Sequence, residues 1–134
     1  MKFIDEEDVD LNGFRQNKLT RLITKREKKR RTFAGLHVQI TDLQMMDVKQ
    51  CIIENTLTFG RENITNTESF YQVPYPTVSG NHCSISLLGD AVVVQDLKSR
   101  NGTYINDQCI QTHTITGSSF YLRLGSASLK IEFL

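Results

Sequence analysis

The stretch AVVVQDLKSRNGTYINDQCIQT, residues 91–112, decides how the rest of the chain is read. It opens on an apolar run with three successive β-branched valines, breaks into a polar cluster, and resumes as GTYIN and QCIQT. β-Branched residues are stiff at χ1 and fit a pleated surface, so AVVVQDL (91–97), GTYIN (102–106) and QCIQT (108–112) read as three strands separated by turns. Asn101-Gly102 is, in such a setting, the ordinary signal of a tight hairpin turn.

The same texture extends in both directions. LHVQIT (36–41), QCII (50–53), TLTFG (56–60), HCSISLL (82–88), SFYLRLG (119–125) and ASLKIEFL (127–134) alternate apolar and polar residues over short spans bounded by turn formers. No segment after residue 33 sustains a 3.6-residue apolar period long enough for a helix. The pattern predicts an all-β domain over residues 34–134, an antiparallel β-sandwich or barrel. One connection is long: ENITNTESFYQVPYPTV, 62–78, holds both prolines and three of the eleven aromatic residues, with room for a strand through FYQV. Connections of that length in a compact domain are usually functional or mobile.

Ahead of the β portion lies a charged extension, residues 1–33. Residues 1–31 carry ten Lys/Arg and six Asp/Glu, and the remaining 103 carry six and nine, so the net charge of +1 conceals a basic extension and an acidic domain. Leu19, Leu22 and Ile23 could form a turn or two of amphipathic helix, too little apolar surface for a core. A solvated lead-in and a nuclear-import or docking signal are both open readings of KLTRLITKREKKRR, 18–31. The acidic opening MKFIDEEDVD does not resemble a secretory signal peptide, and no apolar run could cross a membrane. Cys51, Cys83 and Cys109 are scattered singly, which points to neither a disulfide framework nor a zinc site and fits an intracellular setting.

Catalysis finds little material here. His82 and Cys83 are neighbours on a strand, so their side chains point to opposite faces and cannot form a dyad. No phosphate-cradling glycine loop, zinc-binding helix motif or nucleophile elbow occurs. The expectation is a domain that is not an enzyme and needs neither cofactor nor metal. Nucleic acid could be held only through the basic extension, because the β portion is net acidic and lacks interleaved aromatic residues.

Three polar segments stand at strand ends: Gly60-Arg61, Ser79-Gly80-Asn81-His82, and Ser99-Arg100-Asn101-Gly102-Thr103. Loops at one end of a sandwich converge, and these offer a guanidinium, hydroxyls, amides and free backbone N–H groups, a donor set suited to a phosphate dianion. LTFGR, then SGNH, then D-x-x-S-R-N-G-T-Y-I-N, in this order and spacing, resembles the forkhead-associated (FHA) domain, over approximately residues 34–134. The resemblance implies an FHA/SMAD-like β-sandwich that binds phosphothreonine peptides. Arg61 would then hold the phosphate, Ser79 would donate its hydroxyl to it, and Asn101 would bond the peptide backbone beyond the phosphothreonine. Gly80, Asn81 and Arg100 join them as phosphopeptide-binding candidates, and Thr77, Val78 and Ser99 as specificity candidates. Gly60, His82, Gly102, Thr103 and Asp96 would shape the site, with His82 tying the loops together by ring hydrogen bonds.

Two departures from the family pattern stand out. The position after the serine, commonly polar or basic, is Gly80, which can offer only its N–H; Asn81 or Arg100 would have to compensate. The 62–78 connection lacks the usual acidic pattern. Three or four charge-assisted bonds, less the cost of ordering a peptide, leave on the order of 7–9 kcal/mol, hence micromolar dissociation constants. The threonine methyl contributes about 0.8 kcal/mol of preference over serine by burial alone. FHA domains often precede the kinase domain of nuclear DNA-damage and meiotic checkpoint kinases, so the resemblance implies a nuclear signalling role and a phosphorylated protein partner. Self-association through a phosphorylated Thr20, Thr24 or Thr32 is a further expectation.

Overall fold

In the computed structural model, residues 31–32 and 35–134 are described. Arg31–Thr32 is a two-residue strand; the expectations for the rest of the extension, including the helical turn at Leu19–Ile23, lie outside the described residues. Eleven strands follow: β1 (Gly35–Asp42), β2 (Asp47–Ile53), β3 (Thr56–Gly60), β4 (Phe70–Gln72), β5 (Cys83–Leu88), β6 (Ala91–Asp96), β7 (Thr103–Ile105), β8 (Gln108–Ile110), β9 (Thr112–Thr114), β10 (Ser119–Leu124) and β11 (Ala127–Phe133). One sheet runs β8-β7-β10-β11-β1-β2 and the other β9-β6-β5-β3-β4. Among the described residues there is no helix.

Alternation along the strands closes the two sheets into a sandwich. Leu36, Val38 and Ile40 on β1, Phe120, Leu122 and Leu124 on β10, and Ala127, Leu129 and Ile131 on β11 point inward at 3% exposure or less. They meet Phe59, Cys83, Ile85 and Val94 from the opposite sheet, each fully buried. Successive Cβ atoms alternate sides of a strand, so the period-two pattern in the sequence becomes one dry layer between two wetter faces.

Three local expectations need correction. QCIQT is not one strand: Gln108–Ile110 pairs with β7, whereas Thr112–Thr114 pairs with β6, so the chain changes sheets at Gln111. FYQV does contribute a strand, but it lies parallel to β3 in a sandwich expected to be antiparallel. Asn101-Gly102 is not a hairpin turn, because the strands on either side, β6 and β7, belong to different sheets. Within residues 91–112 the two-residue hairpin is instead Asn106-Asp107, joining β7 to β8 with φ values of 49° and 69°. Two successive positive φ angles are the signature of a type I′ turn.

Candidate functional site

Strand register brings the polar segments together. Phe59 pairs with Cys83, and Cys83 with Asp96, so the end of β3, the start of β5 and the end of β6 lie in one row at one end of their sheet. Arg61 leaves β3 just past that row, residues 73–82 lead into β5, and residues 97–102 depart from β6. A cleft of about 330 Å³ opens between them, lined by Arg61, Pro76, Thr77, Val78, Ser79, Gly80, Arg100 and Asn101.

The loops around the cleft are fixed mostly by backbone. Arg61 N–H donates to Ser79 O (2.9 Å), Val73 N–H to Gly60 O (2.7 Å), and His82 N–H to Phe59 O (2.8 Å). Gly60 permits this close approach: a Cβ there would lie 1.8 Å from the Gly80 carbonyl oxygen, which no rearrangement of a side chain could relieve. On the far side, the Thr77 hydroxyl accepts the Ser126 N–H at 2.7 Å, pinning the 73–78 segment to the β10–β11 turn.

His82 is fully buried beneath the cleft. Its Nδ1 accepts the Ser79 N–H (3.0 Å), so the proton sits on Nε2, which donates to the Gly102 carbonyl (2.8 Å). The ring therefore couples the Ser79 and Asn101 loops. Burial depresses its pKa against the opposing pull of the Gly102 carbonyl and Asp96, which favours the neutral tautomer. Asp96 organises the other loop: its carboxylate accepts the Ser99 N–H and hydroxyl and the Thr103 hydroxyl. Burial alone would raise the Asp96 pKa, but those hydrogen bonds, helped by His82, outweigh it and hold the carboxyl below its ordinary value. The Ser99 oxygen in turn accepts the Gly102 N–H at 3.0 Å, and Gly102 takes a φ of 84°, open to glycine without strain.

Into the cleft face groups with capacity to spare. Arg61 is exposed and its guanidinium has one long contact, 3.4 Å to the Pro76 carbonyl. Arg100 is exposed, and its N–H donates to the Ser79 hydroxyl oxygen (3.0 Å), leaving that hydroxyl's own proton free for a ligand. Asn101 donates Nδ2 to Thr77 O (2.7 Å), which orients the amide and leaves Oδ1 open. Among the described residues neither Arg61 nor Arg100 has a carboxylate partner. Two unneutralised guanidinium groups beside a hydroxyl form a receptor for an anion with several oxygens.

The remaining candidates are placed differently. Val78 is 1% exposed and packs in the core cluster while also bordering the cleft. The Ser99 hydroxyl is consumed inside its own turn. Asn81 turns away from the cleft, where Oδ1 accepts the N–H groups of Ile64 (3.1 Å) and Thr65 (3.3 Å). Cys83 is wholly buried with its thiol pKa pushed up, on the opposite side of its strand from the ring of His82. Sequence reasoning passed over Pro76, whose carbonyl is a contact of Arg61, and Ser126; carbonyl partners carry no side-chain signature, and Ser126 is 49 residues from Thr77. Among the described residues no cluster of His, Cys, Asp or Glu is arranged to hold a metal ion, and no helix is long and apolar enough to cross a membrane.

The model of the FHA domain family matches residues 57–125, just over half of the chain and the whole of this cleft. No curated protein matches the chain. Among solved structures, an FHA domain studied for its phosphothreonine-dependent interactions is 24% identical, covering 72% of this chain and 95% of that one with a TM-score of 0.59. An FHA domain of an Arabidopsis thaliana protein is 19% identical, covering 75% and 88% with a TM-score of 0.61. EmbR of Mycobacterium tuberculosis, solved with a low-affinity phosphopeptide, is 16% identical, and the match spans 93% of this chain and 32% of that one with a TM-score of 0.64. At these identities the likeness shows a shared fold.

Proposed function

The chain belongs to the FHA domain family, and from that membership we propose that its β domain, residues 34–134, binds phosphothreonine peptides in the Arg61–Ser79–Asn101 cleft. The observation that carries this reading is the pair of guanidinium groups, Arg61 and Arg100, on one cleft without a carboxylate among the described residues to neutralise them. Arg61 takes the phosphate in a bidentate grip, Ser79 donates its free hydroxyl proton, and Gly80 adds backbone. Arg100 supplies the second positive charge that a side chain at position 80 would otherwise offer. Asn101 uses Oδ1 for a backbone N–H of the peptide.

The domain acts by recruitment, without a catalytic step of its own. The recruited protein is phosphorylated on threonine by kinase signalling, with a nuclear setting as the resemblance implies, or is a second copy phosphorylated at Thr20, Thr24 or Thr32. Equal dimerisation of the unaltered chain and of a Thr20/Thr24/Thr32 triple-alanine variant, each co-expressed with an active kinase, would remove the self-recruitment branch.

A degenerate phosphothreonine peptide library, with its unphosphorylated counterpart, tests the central reading. The chain should retain the phosphorylated set with micromolar affinity, Arg61→Ala should lose it while keeping its circular dichroism melt, and Arg61→Lys should recover only part. Equal retention of both sets by the unaltered chain would defeat the proposal.

A further inference from the structure

The 61–69 connection carries an isoleucine, Ile64, that is 68% exposed. Scattered surface aliphatics are ordinary, but this one is held. Asn63 closes the connection on itself, with Oδ1 accepting the Thr67 N–H (2.9 Å) and Nδ2 donating to Thr67 O (2.8 Å). Asn81 Oδ1 then accepts the N–H groups of Ile64 and Thr65 from below. These two donors fix the orientation of the Asn81 amide even though its Nδ2 is left buried with no partner among the described residues.

The side chain so held lies over Gly80. A Cβ at residue 80 would fall 2.0 Å from Ile64 Cδ1 and 2.7 Å from Cγ1, so the isoleucine fills the space that any larger residue there would need. Gly80 lines the anion cleft. Ile64 is not itself part of the cleft lining; it packs against Gly80, which is, and so forms an aliphatic step one residue behind that lining and open to solvent.

Resting on the phosphothreonine reading, we infer that Ile64 is a specificity-determining residue. It forms an apolar subsite at the Gly80 edge of the cleft and selects peptides with an aliphatic side chain at one position flanking the phosphothreonine. Gly80 and Ile64 act as a unit: the glycine gives up a side-chain contact to the phosphate and makes room for an apolar contact to the neighbouring residue. An acidic or strongly hydrated residue at that flank would be desolvated against Ile64 without a partner and is disfavoured.

The experiment uses the full chain and a phosphothreonine library varied at one flanking position at a time, followed by two synthetic phosphopeptides differing only by Leu or Ala at the selected position. A Leu-over-Ala preference of roughly five- to tenfold is expected, the scale of partly burying one aliphatic side chain. Ile64→Ser should bring that ratio close to one, Ile64→Val should keep most of it, and Ile64→Thr, nearly the shape of valine, separates apolar contact from volume. A flat profile at every flank, or a ratio that survives Ile64→Ser, overturns the inference. The two readings part cleanly, because the phosphorylated-to-unphosphorylated ratio reports the phosphothreonine site and the Leu-to-Ala ratio reports Ile64. Loss of phospho-dependence in the unaltered chain would overturn both.

Discussion

His82→Leu is the substitution that most directly tests how the binding loops are held. The imidazole has no exposed surface, and its two nitrogens bond the Ser79 N–H at 3.0 Å and the Gly102 carbonyl at 2.8 Å. Leucine is of similar size and leaves both part-buried backbone groups unpaired. Each stranded group costs about 1–3 kcal/mol, about 2–6 kcal/mol for the two, against which leucine regains about 1–2 kcal/mol of apolar burial, so the net loss is about 0–5 kcal/mol and centres near ~2.5 kcal/mol. For a domain of this size that corresponds to a fall in Tm on the order of 10–20 °C. Urea unfolding followed by circular dichroism suits the measurement, since the chain has no tryptophan. Phosphopeptide affinity, taken well below the lowered Tm, should drop more than tenfold although Arg61 is untouched, because Ser79 and Asn101 lose their common anchor. A loss under about 1 kcal/mol together with unchanged affinity would show that the ring does not hold the site, and the coupling described here would be refuted.

Other perturbations follow from the same geometry. Acidification should destabilise the domain: folded His82 has its pKa depressed below 6.5, so below that pH the unfolded chain binds the proton the folded one refuses, and stability falls as pH drops. Asp96 adds to the same trend at lower pH, since its folded pKa lies below 3.8 and its contribution disappears as pH falls through that folded value; urea midpoints from pH 8 to pH 3 should decline in two stages, and a rise on acidification would contradict both assignments. Asp107→Gly should stabilise by about 0.5–1 kcal/mol, because residue 107 sits at φ 69° in the β7–β8 turn and glycine adopts that angle freely; an unchanged urea midpoint would argue against strain there. Gly125→Ala should do the reverse and also weaken peptide binding, as the added Cβ at φ 57° would lie 2.4 Å from the Thr77 carbonyl that orients Asn101; a melt and an affinity equal to those of the unaltered chain would count against this link.

Much of the fold is legible in the sequence alone, for a local reason. Alternation in LHVQIT, SFYLRLG and ASLKIEFL states which side chains turn inward, and β1, β10 and β11 bury the expected residues. The polar segments around Arg61, Ser79 and Asn101 could be singled out because their residue types and their places at strand ends are properties of the chain. Less legible were Gln111, where nothing in QCIQT marks a change of sheet, and Val78, whose burial depends on strands far away in sequence. Asn81 was equally opaque, since the N–H groups that donate to its Oδ1 sit 16 and 17 residues upstream on a connection with no regular pattern.

What the sequence determined by itself was strand content, the inward and outward face of each strand, and the chemical kinds of group available at the turns, all set by neighbours within a few residues. Tertiary structure decided which sheet each strand joined and which row of strand ends came side by side. It also decided which groups stayed free: Arg61 and Arg100 without carboxylates among the described residues, Ser79 with a spare proton, Asn81 drawn away, and Ile64 laid over Gly80. The reason is physical. A side chain's valence is satisfied or left open by whatever packing brings within hydrogen-bond range, and here those partners are supplied by segments distant along the chain.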